Sequence, residues 1–89
     1  MAAEWITLTA QAEGNDHDGF RVVNYWDGRK FPDKPAAVAN GFTQRGSDDF
    51  NVALIEGDRL VSLWWMDHDI GEDAATLADI AREIGLART

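Results

Sequence analysis

The hydrophobic pattern is sharpest between Phe50 and Trp65, in the stretch FNVALIEGDRLVSLWW. Gly57-Asp58 suits a two-residue hairpin turn, with Gly in the first, positive-φ position of a type II′ turn. Pairing outward from it sets Glu56 opposite Arg59, Leu54 opposite Val61, Val52 opposite Leu63 and Phe50 opposite Trp65. Beyond the Glu56–Arg59 ion pair, every residue on that face is large and apolar, which predicts the core face. The opposite face pairs Ile55 with Leu60, Ala53 with Ser62 and Asn51 with Trp64, and is mixed.

Two further strands are predicted at EWITLTAQA and FRVVNYW, joined by the polar loop EGNDHDG. Trp26-Asp27-Gly28-Arg29 reads as a tight turn, since Asp-Gly favours type I′. In FPDKPAAVANGF, Asp33 can cap a helix whose first turn accepts Pro35. Val38 and Phe42 share one face of it, while Asn40 and Gly41 weaken it, so a short helix is expected. Near the C-terminus, Leu77, Ile80, Ala81 and Ile84 follow the helical i, i+3, i+4, i+7 spacing. Glu72 and Asp73 suit the positive end of that helix. Gly85 suits the left-handed stop, with Leu86 folding back on the last apolar turn.

The order is β-β-α-β-β-α. The expected fold is α+β: a small antiparallel sheet of about four strands with two helices on one face. Residues 1–89 are expected to form a single domain. A chain this short buries roughly 60–65% of its unfolded surface, which leaves a thin stability margin.

Charge adds the first functional hint. Sixteen acids against eight bases give a net charge of −8. Such a field repels phosphate backbones and favours basic partners, although acidity also serves solubility alone. Four Trp are more than a disordered chain carries. The absence of cysteine removes disulfides, zinc-thiolate sites and thiol catalysis. There is no apolar run long enough to span a membrane, and no basic start followed by an apolar stretch. A cytoplasmic protein without nucleic-acid or membrane partners is the expectation.

The segment LADIAREIGL resembles the first helix and turn of the helix-turn-helix in repressors of the lactose-repressor type, through Ala81 and the turn glycine Gly85. The resemblance implies a recognition helix after the turn. None follows before Thr89, and Arg82 and Arg88 are outnumbered by Glu72, Asp73, Asp79 and Glu83. A terminal helix that packs on the core is expected instead.

Candidate chemistry is sparse. Both histidines sit in Asp-His-Asp triplets: Asp16, His17 and Asp18, then Asp67, His68 and Asp69. Carboxylates and imidazole can bind a divalent metal. In an extended triplet the His points away from its two Asp, so a site needs both triplets to meet. Neither triplet fits an EF-hand, because aligning Gly19 with the loop glycine puts Gly14 and Tyr25 at acidic positions. The bland reading is solvated loop acids, with Asp69 also capping the last helix. Ser47 and Ser62 lack a nucleophile setting, and the glycines are dispersed rather than gathered into a phosphate loop. No cofactor is expected.

The tryptophans point towards binding. In the register above Trp65 faces the core and Trp64 points away with Ile55, Leu60 and Met66. Trp64, Ile55, Leu60, Met66 and Trp26 are then candidate partner-binding residues, an aromatic anchor with acidic surroundings. Trp64 has two other readings: covered by the first helix or N-terminal strand, or the seam of a homodimer. The leading expectation is a small acidic, non-catalytic interaction protein for a partner with a basic surface, such as an inhibitor, antitoxin-like or accessory factor. The alternative is a metal- or small-molecule-binding domain, or an enzyme, using the two Asp-His-Asp loops.

Overall fold

A computed structural model describes residues 3–87. Its elements are β1 (Glu4–Asn15), β2 (Gly19–Trp26), α1 (Lys34–Arg45), β3 (Asn51–Glu56), β4 (Arg59–Trp65), β5 (His68–Asp69) and α2 (Ala74–Glu83). The fold is α+β. The sheet is antiparallel with the order β2-β1-β3-β4-β5, one short edge strand more than expected.

The helices lie on opposite faces of this sheet, not on one. Side chains alternate across a strand, so Trp5 and Thr7 face one way and Ile6 and Leu8 the other. Ile6, Leu8, Ala53, Ile55 and Leu60 pack with Leu77, Ala81 and Leu86 around α2. Phe50, Val52, Trp5 and Trp64 pack with Ala37 and Val38 of α1. The result is three layers with two small cores. Each fully buried Ile, Leu or Val contributes about 1.5–3 kcal/mol.

The β3–β4 hairpin begins as expected, with Gly57 at φ 61°, Glu56 opposite Arg59 and Ile55 opposite Leu60. A bulge follows. Leu54 pairs with Ser62, Ala53 with Leu63 and Val52 with Trp64, which leaves Val61 as the extra residue. From there every β4 side chain is on the face opposite to the one expected. Trp64 lies under α1, and Trp65, expected in the core, is 41% exposed.

α1 runs on to Arg45 through both of its weak residues. Asp33 caps it, accepting the Ala36 N–H at 2.9 Å. Gly41 is needed because the Phe50 ring sits on it. Asn40 is held by hydrogen bonds: its Nδ2 donates to Thr7 Oγ1 and Asp27 Oδ2, and its Oδ1 accepts from Arg29 Nη1. Thr7 Oγ1 in turn donates to the Ala37 carbonyl at 2.7 Å. Among the described residues no buried side-chain polar atom lacks a partner.

α2 follows its expected pattern, with Gly85 at φ 81° and Leu86 folded back and buried. Its cap is Asp73, which accepts the Thr76 N–H at 2.7 Å. Asp69 does not cap it and instead accepts the Gly71 N–H. At Asp27-Gly28 only Gly28 has a positive φ, so the turn is not type I′, which needs both.

Candidate functional site

β1 and β2 are longer than their sequence suggested. The loop foreseen between them shrinks to Asp16–Asp18, because Asn15 Oδ1 accepts the N–H groups of His17 and Asp18 and Gly19 turns the chain at φ 84°. The two strands pair from Leu8–Trp26 out to Asn15–Gly19. β1 pairs with β3 only as far as Leu8. Thr9–Asn15 and Gly19–Tyr25 therefore form a two-stranded arm that leaves the sheet.

The arm is amphipathic. Leu8 and Trp26 face the α2 core, so Ala10, Ala12 and Gly14 of β1, with Asn24, Val22 and Phe20 of β2, continue that same face. Beyond Asn24, which α2 reaches through Glu83, no helix covers it: Phe20 is 63% exposed and Val22 73%. The other face carries Gln11, Glu13, Arg21, Val23 and Tyr25, with a Glu13–Arg21 ion pair at 3.6 Å. The tip is acidic, through Asp16 and Asp18.

β2 is also an outer strand of the sheet. The Asn24 N–H donates to the Glu83 carboxylate of α2, so it points away from β1. Hydrogen bonding alternates along an antiparallel ladder, so the backbone N–H and C=O of Val22 and Phe20 also point outward. The outer edge is thus occupied at Asn24 and open at Val22 and Phe20.

The binding residues read from the sequence do not form one exposed patch. Ile55 and Leu60 are buried in the α2 core. Trp26 is half-buried at its rim, its Nε1 donating to the Arg29 carbonyl. Trp64 is half-buried too, covered by α1 and the N-terminal strand. It meets Trp5 edge-on at 6.3 Å, donates to Ser62 Oγ at 2.8 Å, and has Lys34 Nζ 4.5 Å from its ring. Lys34 also donates to the Met66 carbonyl and Asp67, which fixes the β4–β5 turn. Met66 is partly buried in that turn at φ 53°.

The two Asp-His-Asp triplets are not brought together. Asp16, His17 and Asp18 form the arm's tip beyond β2, while Asp67, His68 and Asp69 lie at β5, the opposite edge. Among the described residues no three His, Cys, Asp or Glu cluster as metal ligands. His68 stacks on Trp65 at 5.8 Å.

A groove of about 430 Å³ lies between the β3–β4 turn and α2, lined by Leu60, Val61, Ala74, Leu77, Ala78 and Ala81 among others. Both arginines at its rim are engaged, Arg59 with Glu56 and Arg82 with Asp79. Asp58 is the one carboxylate among the described residues that line it. Among the described residues no helix is long and apolar enough to cross a membrane.

Sequence reasoning missed the arm because Phe20 and Val22 sit in an ordinary strand pattern. A usable signal was present: Ala10, Ala12 and Gly14 alternate with polar residues, and nothing in the order of elements is left to cover them. In comparison with known proteins, no family model, no curated protein and no solved structure matches the chain.

Proposed function

We propose that this chain is a small acidic, non-catalytic protein-interaction domain that docks a partner of basic character through the β1–β2 arm. The observation that carries the reading is the arm's uncovered apolar face around Phe20 and Val22. A lone two-stranded hairpin is marginal in water, so an arm of this kind gains order from whatever covers it. The net charge of −8 selects a basic surface and steers its approach at low salt. The reading sets the protein in the cytoplasm, in keeping with a chain without cysteine. A second copy of the chain is the competing occupant of the arm.

The test is affinity capture from cells of the source organism at low and high salt. Wild-type protein is compared with a Phe20→Ser, Val22→Ser double variant. The expected result is a basic partner held by the wild type, lost by the variant and weakened by salt. A partner held equally by both proteins would overturn the assignment of the arm.

A further inference from the structure

Resting on that reading of the arm, we infer that it binds its partner by strand addition. An extended segment, apolar in its middle and basic at both ends, pairs with the open edge of β2 at Phe20 and Val22.

The backbone states what the ligand must supply. Two consecutive outward residues, Phe20 and Val22, offer N–H donors and C=O acceptors in the spacing of a ladder. An extended peptide satisfies them all, and its alternate side chains fall beside Phe20 and Val22 on the uncovered face. A partner helix matches neither feature, since its own backbone groups are already paired. Charge sets the ends. Glu83 stands at Asn24 on one side of the open pair, and Asp18 at the tip on the other. A basic residue at one end of the incoming strand meets Asp18. One at the other end meets Glu83, drawing its carboxylate from Asn24 and lengthening the ladder by one residue.

A second copy fits this edge less well. One antiparallel register that leaves Glu83 on Asn24 pairs Phe20 with Val22 and sets Arg21 directly against Arg21, a like-charge pair that destabilises a sheet. The other centres on Phe20 and sets Val22 against the partner's turn at Asp18, so that only Phe20 pairs with a strand residue. Moving the register so that Val22 meets Val22 needs both Asn24 N–H groups and displaces both Glu83 carboxylates. Every such arrangement brings together two chains that each carry −8. A heterologous basic strand avoids the Arg21 pair and the like net charges, displaces one Glu83 carboxylate rather than two, and gives that carboxylate a cation in exchange.

The probe is a capped peptide of alternating valine and threonine with paired lysines at each end. It would be titrated into the ¹⁵N-labelled protein and followed by amide shifts and hydrogen exchange. The expected result is protection of the Phe20 and Val22 amides and a shift at Asn24. N-methylating the peptide's edge-facing amides should abolish binding, and glutamates in place of the lysines should weaken it about tenfold. Glu83→Gln, an exposed change, should weaken binding of the lysine peptide about threefold.

Binding without amide protection, or indifferent to N-methylation, would overturn strand addition while leaving the arm as a side-chain docking surface. No binding up to roughly 1 mM would overturn it as well. Protection of these amides without peptide, rising with protein concentration alongside a dimer in sedimentation, would assign the edge to a second copy. Loss of the captured partner in the Phe20→Ser, Val22→Ser variant bears on the arm itself, so the two failures are distinguishable.

Discussion

The Phe50 ring lies directly on Gly41: a Cβ added to Gly41 would come within 2.2 Å of Phe50 Cε2. Two effects compete in Gly41→Ala. Helix propensity favours Ala by about 1 kcal/mol. Overpacking a buried ring costs about 1–3 kcal/mol, and this ring is also held edge-on by Phe42 at 5.3 Å. The clash wins, so Gly41→Ala is expected to lower Tm, by about 4–8 °C for each kcal/mol lost. Thermal unfolding checks this, with Phe50→Leu in the same chain restoring part of the loss. A rise in Tm would show that the ring moves aside freely.

Trp64 and Trp65 are neighbours in sequence and unequal in structure. Trp64→Ala removes a half-buried ring that contacts Trp5 and Lys34, and should cost about 2–4 kcal/mol of stability. Trp65→Ala removes a more exposed ring with its Nε1 hydrogen bond to the Asp48 carbonyl and its stack on His68, and should cost less, about 1–2 kcal/mol. Urea unfolding of both variants separates these outcomes. The reverse order would restore the register without a bulge.

Asn40 ties α1 to β1 and to the Asp27 turn. Asn40→Ala removes the buried hydrogen bond to Thr7 Oγ1 together with the links to Asp27 and Arg29, at a cost of about 1–3 kcal/mol. A double-mutant cycle with Asp27→Ala should show coupling of about 0.5 kcal/mol or more. Additive effects would mean the two side chains act independently.

The cap of α2 is sensitive to acid. The hydrogen bonds from Thr76 hold the Asp73 carboxyl below its ordinary value of 3.8. A depressed carboxyl stabilises the fold above the unfolded-state pKa, and that share is lost as pH falls through the lower folded-state value. The stability difference between wild type and Asp73→Ala should therefore be constant near neutrality and shrink below about pH 4. Equilibrium unfolding across that range is the measurement. A gap that widens in acid would reverse the sign of the linkage.

Hydrogen exchange should grade the sheet. Amides paired between β1 and β3 and between β3 and β4 are expected to exchange slowest. Those of Gln11–Asn15 and Gly19–Val22 should exchange orders of magnitude faster, because nothing covers that part of the arm. Uniform protection along β1 would mean that the free chain already covers its arm.

Much of this architecture was legible in the residues. Asp33, Gly85, the Gly57-Asp58 turn and the spacing Leu77-Ile80-Ala81-Ile84 each act over a few residues, and local chemistry decides them. The face of β4 was not legible. Alternation fixes register when one face of a sheet meets water, but here helices cover both, so Leu63 and Trp64 could each satisfy either core. Ser62 offered no warning, since its hydroxyl is taken up by Trp64. The length of α1 was hidden for the opposite reason: Asn40 and Gly41 are weak locally and are retained for contacts with Thr7, Asp27 and Phe50. Of the readings open for Trp64, cover by the first helix and the N-terminal strand is the one the fold adopts, and the open edge of β2 depends on a strand order that no local pattern carries.

That strand order also governs how the chain assembles. The two hairpins, β1 with β2 and β3 with β4, close through short turns and can form within about 1–10 μs. The seam between β1 and β3 joins strands from distant parts of the chain and must meet the loop-closure entropy of everything between them. α1 lies within that connection and covers the seam through Ala37, Asn40 and Gly41, so the slow step is the meeting of helix and seam. Substitutions at Thr7, Val52 and Gly41 are therefore expected to slow folding, which stopped-flow refolding would read. The arm stands outside this event, so substitutions at Phe20 and Val22, the positions of the proposed docking surface, are expected to leave the folding rate of the rest of the molecule unchanged.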